Sequence, residues 1–239
     1  VVSFVECALT LTRSVSLRLI LLGGGILLHM AFLFRTSPFH PPELFLDEVV
    51  SSTFWVTALS AAVILGCRSV QDRIFPQGHI LGSTPFSPLL IVMGTFLGAL
   101  VLLLLTQFVL LGVALVLGTA WSLASAYPAP PSWRLATAAF SPCLAAGPLC
   151  AWSILARAAL PAIPAHALAL AAAAASAVTA IPLAPPALTT LVPRTALLGQ
   201  VLERPFPVDA TLLAIAHATL QVGAILLASG LLLRLRRGS

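Results

Sequence analysis

Along the chain, long hydrocarbon runs alternate with short stretches in which the charges and most of the prolines collect. Residues 17–34, 49–66, 89–118, 135–156, 160–181 and 210–233 are each apolar over the length that a helix needs to cross a membrane. That length is roughly 20 residues at a rise of 1.5 Å each, for about 30 Å of hydrocarbon. The third run, LLIVMGTFLGALVLLLLTQFVLLGVALVLG, is about 45 Å long as one helix, so it tilts or begins in the interface. The fifth relies on alanine, marginal on insertion scales, and carries Pro161 and Pro164 near its start; neighbouring helices are expected to hold it in place. The pattern predicts an all-α polytopic membrane protein, a single transmembrane domain of about six helices.

Composition agrees. Of 239 residues, 59% are hydrophobic and 8% charged, and the mean hydropathy is +1.07. A soluble domain carries about 25% charged residues. The sequence pI near 9.9 comes from twelve arginines and no lysine, in ones and twos except for three near the C-terminus. Scattered between apolar runs, they read as topology signals rather than as a phosphate-binding patch, so no nucleic-acid partner is expected.

Assigning alternate connections to opposite sides places Arg13, Arg18, Arg68, Arg73, Arg157, Arg234, Arg236 and Arg237 together, against Arg35, Arg134, Arg194 and Arg204. The excess predicts that both termini are cytoplasmic and that the protein is a multi-pass component of a bacterial inner membrane. The external connections are proline-rich, with Trp121, Tyr127 and Trp133 where aromatic residues favour the headgroups. The last of them, through ALTTLVPRTALLG, is apolar enough to dip back into the bilayer. No cleavable signal peptide is expected, because the first apolar run is long enough to stay in the membrane.

For chemistry, the chain offers no HExxH, GxSxG or Walker A pattern. Asp47, Asp72 and Asp209 fall in loops or at span ends, which argues against an intramembrane aspartyl catalyst. No enzyme site, metal or cofactor is expected on this chain. Cys7, Cys67, Cys143 and Cys150 form no CxxC and no zinc spacing, so they read as small buried hydrophobes, Cys143 and Cys150 sharing a helix face.

Polar groups inside apolar runs are costly and invite a functional reading. They are His29, Gln107, His166, His217 and Gln221, the last two sharing a face of the sixth helix. Two uses are open: a substrate pathway or haem ligation by two histidines, or hydrogen bonds between packed helices, the commoner use. Gly94 and Gly98 form a GxxxG at the start of the third run and predict a helix contact.

The most specific stretch is CRSVQDRIFPQGHILGSTP. In it Arg68, Asp72, Arg73, Gln77 and His79 are interleaved with Ile74, Phe75, Ile80 and Leu81 and broken by Pro76 and Gly78. This predicts an amphipathic segment over about 68–88, lying on the cytoplasmic membrane surface.

With its flanks the stretch resembles the membrane subunits of type-2 ABC exporters. The matching residues are Asp72 and Arg73, then Pro85 and Ser87 in TPFSP, then Gly94, Phe96, Leu97 and Gly98 in GTFLG. Upstream, FWVTALSAAVILGCRSVQDR resembles the second span of the cytochrome c biogenesis (CcmB-like) and NosY-like permeases. The chain departs from that pattern at Pro76 and His79, where a Gly and an acidic residue are common, at Thr95 in place of Lys, and at Gly82 in place of Leu. Outside this region the resemblance rests on hydropathy and topology.

The resemblance implies a permease subunit with no ATPase of its own, moving an unidentified substrate. ATP and magnesium would be bound by a separate soluble ABC ATPase subunit. It also implies a homodimer or pairing with a second permease, and a coupling role for Arg68, Asp72, Arg73, Gln77 and His79. Two other readings compete with it: a haem-binding or redox-active membrane protein using His29, His166 or His217, and a non-transporting scaffold.

Overall fold

The architecture is seen in a computed structural model that describes residues 15–34, 42–74, 87–124, 130–178 and 208–238. Six helices account for nearly all of them: α1 (Val15–Phe34), α2 (Pro42–Ile74), α3 (Pro88–Ala124), α4 (Ser132–Ala159), α5 (Ala162–Val178) and α6 (Val208–Gly238). Among the described residues there is no strand.

Five helices contain stretches long and apolar enough to cross a membrane: Val15–Leu33, Val49–Cys67, Pro88–Leu123, Ser132–Ala159 and Ile215–Leu235. The crossing expected at 160–181 is described only as far as residue 178. Its helix, α5, has 17 residues and is only about 25 Å long. It is separated from α4 by Leu160, whose φ of −125° and ψ of 158° are extended, as befits a residue held out of the helical region by a following proline, Pro161.

The helices also outrun their apolar cores. α2 has 33 residues, about 50 Å, and continues without a break from Cys67 to Ile74. The segment expected to leave the span at Arg68 therefore begins as more of the same helix, with Arg68, Asp72 and Arg73 on its last two turns. No glycine or proline lies between Gly66 and Pro76, and the helix ends just before that proline, where the preceding residue is biased to extended conformations. Gln77 and His79 lie outside the described residues. α3 has 37 residues, about 55 Å. It starts with proline at its first position, and Ser87 Oγ accepts from the Leu90 N–H at 3.3 Å.

α2, α3 and α4 pack on one another as a central triangle, and each remaining helix lies along one edge. α1 packs on α2 and α3, α5 on α2 and α4, and α6 on α3 and α4. The most enclosed is α4, with 72% of its span buried against 22% for α6. Its run of small residues, including Ala145, Ala146, Gly147, Ala151 and Ser153, lets neighbours approach closely. Pro142 and Pro148 lie inside it, both buried, and each removes one N–H from the helix ladder.

The buried residues fix the direction of each helix. Leu17, Val63, Val92, Ile154 and Leu233 belong to one core cluster. Phe32, Val50, Leu110 and Leu135 belong to another. Hence α1 and α3 run one way and α2 and α4 the other; α6 runs against α3, because Gly230 meets Leu89 while Val222 lines a crevice with Phe96. One end of the bundle collects the positions of Arg18, Arg68, Arg73, Arg157, Arg234, Arg236 and Arg237; the opposite end carries Trp121, Trp133 and Arg134.

Candidate functional site

At the arginine-rich end, α2 and α4 touch backbone to backbone. A Cβ added to Gly66 would lie 2.5 Å from Ser153 Cβ and 2.8 Å from the Cys150 carbonyl oxygen, closer than real Cβ atoms come. The next residue, Cys67, is fully buried with its Sγ 3.7 Å from the Ser153 carbonyl oxygen. One turn beyond Ser153, Arg157 is only 8% exposed. Its Nη1 donates to the Leu160 carbonyl at 2.9 Å.

The carbonyl end of a helix carries partial negative charge, which favours a cation in its last turn. Even so, enclosing a guanidinium among apolar helices is costly and marks a candidate for function. From the sequence Arg157 counts only as a topology signal. Its setting within LARAAL, flanked by alanines and followed by a broken helix, is the cue that distinguishes it.

A second polar group sits on the seam of α1, α2 and α3. Gln107 is fully buried and donates from Nε2 to Thr57 Oγ1 at 3.1 Å and to the Phe54 carbonyl at 3.4 Å. Thr57 satisfies its own hydroxyl on the carbonyls of Thr53 (2.8 Å) or Phe54 (3.0 Å), one turn back on α2. Gly24 of α1 closes the seam, because an added Cβ would lie 2.9 Å from Thr57 Cγ2 and 3.0 Å from Leu110 Cδ2. Gln107 Oε1 and Thr95 Oγ1 have no hydrogen-bond partner among the described residues. Space this tight leaves no room for a passing molecule, so the geometry of Gln107 is that of a bond between helices.

The other polar residues stay apart. His29 and His217 are exposed and His166 is half-buried. They belong to α1, α6 and α5, the three peripheral helices, each on a different edge of the triangle. No two of these histidines share a helix seam. Gln221, one turn from His217, is half-buried. Among the described residues no group of three or more His, Cys, Asp or Glu side chains is placed to hold a metal. Cys67, Cys143 and Cys150 are free and buried, in keeping with their reading as small hydrophobes.

The glycine contact expected at Gly94 and Gly98 is met only in part. Gly98 is buried, but a Cβ on Gly94 would meet nothing within 4 Å, since that side of α3 faces away from the bundle. The close approaches are made by Gly24, by Gly66, by Gly118 against Pro130 Cδ at 3.3 Å, and by Gly230, against Leu89 Cα at 3.3 Å. From that contact α6 diverges from α3 and α4. The gap is an apolar crevice of about 230 Å³ whose walls include Phe96, Pro148, Ile215 and Val222. Tyr127, Cys7 and the ALTTLVPRTALLG stretch lie outside the described residues.

Compared with known proteins, the chain matches no family model, no curated protein and no solved structure.

Proposed function

We propose that the protein is the membrane-spanning permease subunit of an ABC exporter, driven at its arginine-rich end by a separate soluble ATPase. In this reading that end and both termini face the cytoplasm of a bacterial cell, and two copies, or this chain and a second permease, form the transport unit. The observation that carries it is the unbroken course of α2 from the apolar core to Ile74. A motor outside the bilayer can move helices within it only through something stiff. Seven residues of helix beyond Cys67 project about 10 Å past the apolar stretch, with Arg68, Asp72 and Arg73 on the projection. Because α2 is locked to α4 at Gly66, a push on those turns is delivered to the centre of the bundle. The histidines, spread over three edges, give haem ligation within one chain no comparable support.

The test is to exchange the charges at the tip of α2 in the double variant D72R/R73D. Exposed ion pairs contribute only about 0–1 kcal/mol, so insertion and yield should be normal. The exchange sets like charge against the partner's surface. Co-purification with a P-loop ATPase from native membranes, or stimulation of its ATP turnover, should be lost. Full transport by the double variant, in cells lacking the parent protein, would reduce the tip of α2 to a solvated connector and contradict the proposal.

A further inference from the structure

We propose that Arg157 is a positioning residue: it ties the turn between α4 and α5 to the charged end of α2, so that this turn and the last turns of α2 move as one body. The inference extends the reading of that end as the one facing a partner.

A topology signal needs only a positive charge near the membrane surface. Arg18, Arg134 and Arg234 meet that description, being exposed, whereas Arg157 alone among the described arginine side chains is buried. Burial has placed its guanidinium where three elements meet. α4 supplies its backbone, α2 supplies Gly66 and Cys67 against Ser153 one turn before it on the same face, and the turn into α5 supplies the Leu160 carbonyl that Nη1 binds.

That carbonyl needs a donor from outside the helix ladder. In a continuous helix the donor would be the N–H of the residue four positions on, which here is Pro164, and proline has none. A carbonyl left without a donor in an apolar setting is costly. Pro161 and Pro164 thus break the helix and create the acceptor, and Arg157 fills it. Arg157 follows Cys150 and Ser153 at helical spacing, on the face of α4 that meets α2 at Gly66, the point of closest approach between α2 and α4. The turn is therefore fastened to the base of the α2 projection and not merely joined to α4 by the chain.

The experiment measures distances by electron paramagnetic resonance on the full chain in liposomes. Spin labels are attached to a keto amino acid so that the native thiols stay in place. One pair replaces Gln71 on the last turns of α2 and Ile163, which is 84% exposed on the first turn of α5. A control pair replaces Ser52 on α2 and Trp133 on α4, at the opposite end. In R157L the 71–163 distribution should at least double in width while the 52–133 distribution keeps its width; R157K, which retains a cation able to reach one carbonyl, should stay narrow. If R157L does not insert, R157Q carries the same two expectations. An unchanged 71–163 width on loss of the charge, or equal broadening of both pairs, would overturn the assignment, the latter by making Arg157 a general stabiliser. Neither measurement needs a nucleotide or a partner, so the permease reading can fail in the ATPase test without touching this one.

Discussion

The two ends of the bundle are held together by different means. At the arginine-rich end helices meet through missing side chains: Gly66 lies on the Cys150 carbonyl and Ser153, and Gly230 lies on Leu89. At the opposite end large side chains, Phe32, Phe54, Leu110 and Leu135, form one cluster, and the glycine approach there, Gly118 to Pro130 at 3.3 Å, is to a side chain rather than to backbone. The crevice beside Phe96 and Pro148 lies between the two ends, on the side of the bundle where α6 packs. Backbone-to-backbone contact has almost no give, whereas side-chain packing and an open crevice can be rearranged by rotamer changes. On the permease reading proposed above, the backbone contact at Gly66 is suited to transmit displacement and the crevice beside α6 to absorb it.

The sharpest way to break this contrast is at Gly66. Even G66A places a methyl group at overlap distance from the α4 backbone, and G66V adds two more carbons. Overpacking typically costs on the order of 1–3 kcal/mol, and more where backbone must shift. G66V is expected to yield little folded protein on extraction, and G66A a clearly lowered unfolding temperature in detergent. Wild-type stability for G66V would mean that α2 and α4 are not in contact there.

A paired comparison at Gly230 and Gly94 comes next in size. G230L meets the Leu89 backbone and side chain at 3.3 Å and should destabilise by about 1–2 kcal/mol. G94L points into open space and should stay within about 0.5 kcal/mol of the parent in the unfolding of the single chain. If G94L were folded but inactive, the open face of α3 would be where a second copy packs.

The smallest effect is expected in the polar seam. T57V leaves the Gln107 amide with only the more distant Phe54 carbonyl, and should cost about 0.6 kcal/mol, the average for interhelical hydrogen bonds in membranes, and no more than about 1.7. Q107L removes the buried Oε1 that has no partner along with the bond, so it should cost less than T57V, and the double variant should come closest to the parent. Thermal unfolding of the three proteins side by side measures the ranking. A Q107L loss far above that of T57V would assign Gln107 a role beyond holding α2 to α3.

Much of the fold was legible in the sequence because hydrocarbon length is a one-dimensional property. The all-helical class and five of the expected spans follow from run length alone, with ends off by a few residues except in α2 and α3. Those helices run on because helix propensity continues where hydrophobicity stops: nothing in RSVQDRI breaks a helix. The alanine-rich span at 160–181 was weak on hydropathy, and its described helix falls short of crossing length.

The sites were less legible. A GxxxG pattern says that a helix can be approached but not from which side, so Gly94 was singled out while Gly66, with no such motif, makes the tightest contact. The histidines looked equivalent along the chain and were separated only by the triangular arrangement of helices. Arg157 was hidden among arginines because counting charges ignores burial.

The central claim is that the two chemically different ends lie on opposite sides of a membrane, the arginine-rich one inside. Single reporter cysteines at Gln71, near the tip of α2, and at Trp133, which is 65% exposed at the start of α4, test it most directly. In intact cells a membrane-impermeant maleimide should modify the cysteine at 133 and leave the one at 71 untouched until the membrane is permeabilised. Labelling of 71 from outside, or of both positions alike, would contradict the account.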